Sequence, residues 1–287
     1  MNVGVIVLNY LAYEATINCI KSFKKQKYKD INLEFVIIDN ASPNESLQIL
    51  NESFHDDSQV HIYGLEKNMG FAKGNNYGYK KLKELMQPDY VIISNDDVIL
   101  EQPGIFKWIT LCYEKYKFAV LGPSIYSVNG NCYQSPMNNL GHNKLKCIYF
   151  LVRNILLRKY LEFTKIFLAY KEKKRTVTDN ENLYYDTFHD DMTLHGSFQI
   201  FSPEYFRYYD EPYYPETFLY MEEDFLRLRC EQKGLRMCYD PMYTVQHLSS
   251  VSTIMEEKLA VKRKISRINH LENSMRLYLR ELERESL

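Results

Sequence analysis

The first hundred residues alternate short apolar runs with amphipathic stretches. Val3-Gly-Val-Ile-Val-Leu8 is an unbroken apolar run and predicts a buried strand. From about Glu14 to Gln26, Ile17, Ile20 and Phe23 recur on one face with lysines on the other, which predicts a helix. Leu33 to Ile38 predicts a second strand running into Asp39-Asn-Ala-Ser-Pro43, where Ser42 or Asn44 would cap a helix reaching about Phe54. Val60 to Tyr63 predicts a short third strand. Gly70, Gly74 and Gly78 read as a punctuated loop entering a helix that ends near Met86, and Tyr90 to Ser94 predicts a fourth strand before Asn95-Asp-Asp97. Repeated strand–helix units of this kind predict an α/β fold with a mainly parallel central sheet flanked by helices.

The polar residues that end these strands carry the first functional signal. Open α/β sheets bind ligands beyond the carboxyl ends of their strands, and Asn9, Asp39, Asp96 and Asp97 all fall there. Asp and Asn are common at any strand exit as turn residues. Their recurrence at three exits is what points to a site.

The pattern changes from about 144 to 175. Ten basic residues against two acids, Glu162 and Glu172, are mixed with Leu151, Ile155, Leu156, Ile166, Phe167 and Tyr170. This suits a basic amphipathic helix at an anionic membrane surface, and equally a solvated insertion or a partner-binding helix. After Asp190 the chain reads as compact globular again, with a strand at Met242 to Gln246. From Glu256 to the end, Leu259, Ile265, Ile268, Leu271, Met275 and Leu279 predict a C-terminal helix, either packed on the core or forming half of a homodimer contact. The expected division is residues 1–125 for the first, strand–helix half, 126–254 for a second half with the basic insertion, and 255–287 for the helical tail.

Composition narrows the function classes. Lysine and arginine number 36 against 37 acids in 287 residues, which argues against a nucleic-acid binder working by overall charge. Cysteines 19, 112, 132, 147, 230 and 238 form no CxxC pair, so neither a zinc module nor a dense disulfide framework is indicated, and a reducing cytoplasm fits. No basic n-region precedes the first apolar run and no stretch reaches about 18 uninterrupted apolar residues. The expectation is a cytoplasmic protein, soluble or at the inner face of the plasma membrane. Twenty-five tyrosines beside one tryptophan suit half-wet grooves, although an AT-rich genome gives the same excess.

Adjacent carboxylates at Asp96-Asp97 repel each other at the end of an apolar strand unless a cation or hydrogen-bond donors compensate them. Mg²⁺ or Mn²⁺ takes one or two protein carboxylates and completes its shell with phosphate oxygens and water, so a phosphorylated ligand is suggested. In Asn68-Met-Gly-Phe-Ala-Lys-Gly-Asn-Asn-Tyr-Gly78, glycines spaced by four let backbone amides approach an anion, or else let a helix pack closely. No GK[ST] follows and the first strand leads into no GxGxxG, so Walker ATPase and Rossmann dehydrogenase readings recede. Glu222-Glu-Asp224 opens a helical pattern carried by Phe225 and Leu228. Those three acids fan across a helix N-terminus, where one or two face a cleft or simply complement the dipole. His247 follows the strand at 242–246.

Taken in order, these segments resemble the nucleotide-sugar glycosyltransferases of family 2, especially the bacterial rhamnosyltransferase-like branch, which have a GT-A fold. Val5-Ile-Val-Leu-Asn-Tyr10 and Val36-Ile-Ile-Asp-Asn-Ala-Ser42 are similar to the family's first two strands, and Asn68 to Gly78 to its NxGFAxGNNxG segment. Ile93-Ser-Asn-Asp-Asp-Val98 falls at its DXD-type metal site, and His195-Gly-Ser-Phe-Gln-Ile-Phe201 at its acceptor-side strand. The resemblance covers most of the chain outside about 130–190. It implies an inverting, Mg²⁺- or Mn²⁺-dependent transfer from a UDP- or dTDP-linked sugar to a saccharide or lipid-linked acceptor in bacterial surface polysaccharide synthesis. Donor contacts would come from Asn9, Asp39, Asn68, Gly70, Gly74, Asn75 and Asp96, metal ligation from Asp97 and His247, and base catalysis from the Glu222, Glu223, Asp224 group. The spacing to Arg229 puts Glu223 where the family has aspartate; Asp224 is the base if the pair is shifted by one residue. A nucleotidyltransferase and a non-catalytic nucleotide-sugar-binding scaffold subunit are the competing readings.

Overall fold

The computed structural model describes residues 1–26, 30–137, 143–168, 185–248 and 260–284. A nine-stranded sheet runs through the molecule in the order β3-β2-β1-β4-β8-β6-β9-β5, with β7 paired on β6. Its first half is parallel: β1 (Asn2–Asn9) lies between β2 (Asn32–Asp39) and β4 (Tyr90–Asn95), and β3 (Val60–Gly64) adds to the edge of β2. Beyond β4 the direction reverses. β8 (Phe198–Phe201) runs antiparallel between β4 and β6 (Val120–Ser127), while β9 (Met237–His247) returns parallel to β6. The two-residue β5 (Val98–Ile99) and β7 (Cys132–Tyr133) close the far end.

The sheet is buried on both faces, which is why its strands read as continuous apolar runs rather than alternating ones. Val3, Val5, Val7, Phe35 and Ile37 point to one layer, where α1 (Tyr13–Lys24), α2 (Ser46–Phe54) and α4 (Ile105–Tyr116) supply Phe23, Leu50 and Trp108. The alternate residues Ile6, Val36 and Ile38 meet Ala72, Tyr79 and Leu82 of α3 (Gly70–Leu85) on the other. The first four strands and their helices match the sequence expectations to within two residues at most ends.

Two local readings are corrected. Helix α3 begins at Gly70, so Gly74 and Gly78 lie within it and not in a loop leading to it. A Cβ at Gly74 would sit 2.5 Å from Leu8 Cδ1 and one at Gly78 2.6 Å from Ile6 Cγ2. These two glycines let α3 lie close against β1, a packing use of the spacing. At α2 the N-cap is Glu45, without a side-chain cap bond. Asn44, one residue earlier, accepts from Ser46 N at 3.3 Å and Ser46 Oγ at 2.6 Å, while Ser42 faces the loop after β1.

The sequence pattern did not predict α4 or β6, whereas β8 lies in the segment 195–201 that the resemblance set at an acceptor-side strand. The strand expected at 242–246 is the end of the longer β9. The basic stretch forms α5 (Lys144–Leu168), and the part expected to continue to 175 lies outside the described residues, as do Ser249 to Thr253 after His247. The short α6 (Pro203–Phe206) follows β8, and α7 (Glu222–Gln232) precedes β9. The C-terminal helix α8 (Ala260–Arg284) packs on α5 and α7 through Leu271, Met275, Tyr278 and Leu282 against Cys147, Leu151, Phe225 and Leu228. No helix among the described residues is long and apolar enough to cross a membrane.

Candidate functional site

Parallel register brings the first two strand ends together, because Asn9 and Asp39 are direct partners. Asn9 is fully buried and donates from Nδ2 to Asp39 Oδ2 at 2.6 Å, while Thr16 Oγ1 donates to Asn9 Oδ1 at 2.9 Å. Asn9 therefore orients Asp39. The backbone N–H of Ser42 donates to the other Asp39 oxygen at 2.9 Å. The loops after both strands hold a non-glycine residue in the left-handed region, Leu11 at φ 66° and Ala41 at φ 59°. Such backbone costs of order 1–3 kcal/mol per residue and clusters where function demands it.

Asn40, which the sequence reading did not single out, ties this corner to α3. Its Nδ2 donates to Asn68 Oδ1 at 3.2 Å and to the Gly70 carbonyl at 3.3 Å, and its Oδ1 accepts from Met69 N at 2.8 Å. Asn68 Oδ1 also accepts from Gly70 N at 2.9 Å. Gly70 has φ +80°, and a Cβ there would meet the Phe218 carbonyl oxygen at 2.1 Å; the Phe71 N–H donates to that same oxygen at 2.8 Å. The glycine thus joins the start of α3 to the segment before α7. Asn75 is fully buried within α3: its Nδ2 donates to the Phe71 carbonyl, and its Oδ1 is buried without a hydrogen-bond partner among the described residues.

Beyond β4, Asp96 and Asp97 turn the chain into β5, which pairs Val98 with His247 and so draws β9 to the acidic pair. His247 Nε2 lies 3.0 Å from Asp97 Oδ1, and its Nδ1 lies 2.6 Å from Gln134 Oε1. Gln134 is 113 residues from His247, so no local pattern announced it. Since the amide oxygen only accepts, Nδ1 donates to Gln134, and Nε2 is the ring nitrogen that faces the Asp97 carboxylate. Burial, then the neighbouring Asp97 carboxylate, pushes the Asp96 carboxyl well above the usual range. His195 stands beside this group, its ring 5.7 Å from that of His247. Its Nδ1 accepts from Ser197 N at 3.1 Å, and burial, then His247, lowers its pKa to about 4, so the ring is neutral.

His195 also lines a cavity of about 540 Å³, with Asn95, Gly196 and Ser197 on the sheet side and Glu222, Glu223 and Asp224 at the start of α7. Tyr220 and Met221, at φ 72° and 70°, deliver the three acids to it through two successive left-handed residues. Glu223 Oε1 accepts from Gly196 N at 3.1 Å, and a Cβ at Gly196 would lie 2.6 Å from that same oxygen. The absence of a side chain at 196 makes room for the carboxylate. Burial, then Asp224, raises the Glu223 pKa; burial, then Glu223, raises Glu222 to about 8, and Glu222 Oε1 is buried without a hydrogen-bond partner among the described residues. The opposite wall comes from Phe150, Arg153 and Asn154 of α5 and from Arg267, Leu271 and Met275 of α8. Both elements expected to be peripheral therefore shape the cavity. Arg267 stacks over Tyr220 at 5.3 Å and Arg153 over Phe150 at 4.7 Å.

A family model for glycosyl transferase family 2 matches residues 4–206, from β1 through α6. The chain belongs to glycosyl transferase family 2. Among curated family relatives, the low-salt glycan biosynthesis hexosyltransferase Agl10 of Haloferax volcanii is 25% identical over 131 residues, which is 45% of this chain and 38% of that protein. The fold of S. aureus TarS residues 1–349 superposes with a TM-score of 0.55 at 16% identity over 93% of this chain and 65% of that one. TarS structures also exist with UDP and with UDP-GlcNAc. GalNAc-T7 with UDP, GalNAc and Mn²⁺ superposes with a TM-score of 0.60 at 14% identity, over 88% of this chain and 44% of that one. The architecture is thus the GT-A fold. The chain spans less than two thirds of each of these relatives, and Glu222 to Asp224 and His247 lie beyond the matched residues.

The fold family implies a divalent cation. Among the described residues no three acidic, histidine or cysteine side chains already enclose a point. The donor chemistry nevertheless fits at one corner: a carboxylate oxygen and an imidazole nitrogen, both of which ligate divalent cations, face each other across 3.0 Å, and the far nitrogen of the ring is held by Gln134. A hydrogen bond to the far nitrogen is how histidine ligands are oriented.

Proposed function

We propose that the chain transfers a sugar from a nucleoside diphosphate to a hydroxyl of a saccharide or lipid-linked acceptor, with inversion at the anomeric carbon. The observation that carries this reading is the 540 Å³ cavity, whose lining joins the Glu222–Asp224 acids to His195, the ring of which stands 5.7 Å from His247 of the Asp97–His247 corner. Residues 1–125 would hold the donor, with Asp39 reading the base and Asn40 and Asn68 shaping the edge of its pocket. Residues 126–254 would hold the acceptor, and the tail 255–287 would close the cavity.

Asp97 and His247 would hold Mg²⁺ or Mn²⁺, with Asp96 alongside; when bound, the cation supplies charge stabilisation to a diphosphate, typically several kcal/mol. Glu223 accepts the proton of the acceptor hydroxyl. Its raised pKa favours that role, because a base works best when its pKa lies nearer the operating pH, and the Gly196 N–H holds the carboxylate in a fixed orientation. Arg153 and Arg267 offset the negative charge gathered in the cavity.

The UDP and UDP-GlcNAc complexes of TarS and the hexosyltransferase name of the Haloferax relative support a nucleotide-sugar donor. UDP-hexoses and dTDP-rhamnose, in bacterial surface polysaccharide synthesis, are the donors to try first. Purified protein incubated with each should release the nucleoside diphosphate slowly even without an acceptor. Release of inorganic pyrophosphate instead would mark a nucleotidyltransferase, and binding with no release would mark a scaffold.

A further inference from the structure

Helix α5 is apolar on two opposite faces, and among the described residues only one of them is covered. Cys147 and Leu151 are buried against α7 and α8, Asn154 is buried with its Nδ2 on Met275 of α8, and Leu161 is buried on the same side of the helix. On the other side Leu145 is 78% exposed, Tyr149 62%, Val152 49%, Leu156 63%, Tyr160 61% and Phe163 86%. At about 100° per residue these six side chains fall within an arc of roughly 80°, opposite the buried set. A soluble surface rarely presents so many large apolar groups in one stripe.

We propose that this uncovered face of α5 docks on an anionic lipid surface, with the helix lying in the interface and the mouth of the carboxylate cavity held beside it. The occupant is argued from charge. Between 144 and 163 the helix carries Lys144, Lys146, Arg153, Arg158 and Lys159 against the single acid Glu162. Arg158 is spent on Glu272 of α8, at 2.9 Å, and on Glu162, at 3.1 Å, and Lys144 on Glu283, at 2.8 Å. By the same count Lys159 flanks the apolar stripe on one side, and Arg153 and Lys146 flank it on the other. A second copy on this face would bring that basic excess against itself, whereas acidic headgroups complement it. Tyr149 and Tyr160 are amphipathic side chains suited to the headgroup level, and a 25-residue helix too polar to span a bilayer fits an in-plane position.

The same helix joins this surface to the site, because Phe150, Arg153 and Asn154 line the cavity. An acceptor anchored in the surface would reach Glu223 without leaving it. The docking does not depend on the transferase reading, since vesicle binding and diphosphate release are measured separately.

The test is co-sedimentation of the full chain with vesicles of phosphatidylcholine alone or mixed with phosphatidylglycerol. Wild-type protein is expected to bind the mixed vesicles, to bind the neutral ones far less, and to release as salt rises. A Leu156→Glu, Phe163→Glu double variant should lose at least about tenfold in vesicle affinity while its melting temperature and its thermal shift with donor nucleotide stay as in wild type. Lys159→Glu should remove the preference for phosphatidylglycerol. Equal vesicle binding by wild type and double variant would overturn the proposal. So would no vesicle binding by wild type, or a wild-type dimer in solution that the double variant dissolves.

Discussion

The chemistry rests on a few side chains whose environments are set one contact at a time. Glu223 is half-buried, tied to the Gly196 N–H, and given its space by the missing side chain at 196. Glu223→Gln keeps shape and size but cannot take a proton. It should bind donor as wild type does and lose about 10²- to 10⁴-fold in turnover, read by acceptor-dependent release of diphosphate; turnover within a few-fold of wild type would move the base to Asp224. Glu222 gives a second reading, through pH. Its carboxyl titrates near 8 in the fold against 4.5 in the unfolded chain, so the native state binds the proton more tightly. That contribution is fully present below pH 4.5 and is lost as the pH rises through about 8. His195 works in the opposite sense: lowered to about 4 from 6.5, its contribution is present above pH 6.5 and is lost as the pH falls toward 4. Melting temperatures of Glu222→Gln across this range should therefore fall less steeply than wild type between pH 4.5 and 8. An unchanged slope would mean that Glu222 is not the group held protonated.

At the scale of elements, the glycines of α3 show how one motif serves two purposes. The spacing by four was visible in the sequence, but spacing alone does not separate a ligand cradle from close packing. Gly74 and Gly78 turn out to be packing positions against Leu8 and Ile6, whereas Gly70 needs its positive φ and touches the Phe218 carbonyl. Gly70→Ala should destabilise the protein by at least about 2 kcal/mol from left-handed strain and contact with that carbonyl. Thermal unfolding checks this, and a loss of less than half that value would mean that the Phe218 segment yields. The strands and helices of the first hundred residues were legible because buried parallel strands leave unbroken apolar runs. Those of the second half were less so, because β6 and β8 are short or punctuated by Gly122 and Pro123, and their pairing is made by distant parts of the chain. Asn40 and Gln134 escaped for the same reason: each acts on a residue 28 or more positions away.

Across the whole molecule, the sheet gathers the carboxyl ends of β1, β2 and β4 on one side, and α7 brings its acids to the same region. The α5–α8 pair then forms the remaining wall. Sequence pattern marked α5 as basic and amphipathic and α8 as a tail, yet their joint role depends on packing across more than a hundred residues, as in the Arg158–Glu272 pair. Removing that contact with Arg158→Ala should loosen the wall, seen as faster amide exchange in 144–163 and 264–284 with the sheet unchanged; uniform protection would show that apolar packing alone holds the two helices. The account as a whole turns on one claim, that the Asp97–His247 corner and the neighbouring cavity bind a nucleoside-diphosphate sugar together with a divalent cation. Its most direct test is a thermal-shift titration of wild type and Asp97→Asn with UDP- and dTDP-sugars, each with and without Mn²⁺. The account predicts that one nucleotide stabilises wild type only when Mn²⁺ is present and that Asp97→Asn loses this dependence. Equal stabilisation of both proteins, with or without the cation, would contradict it.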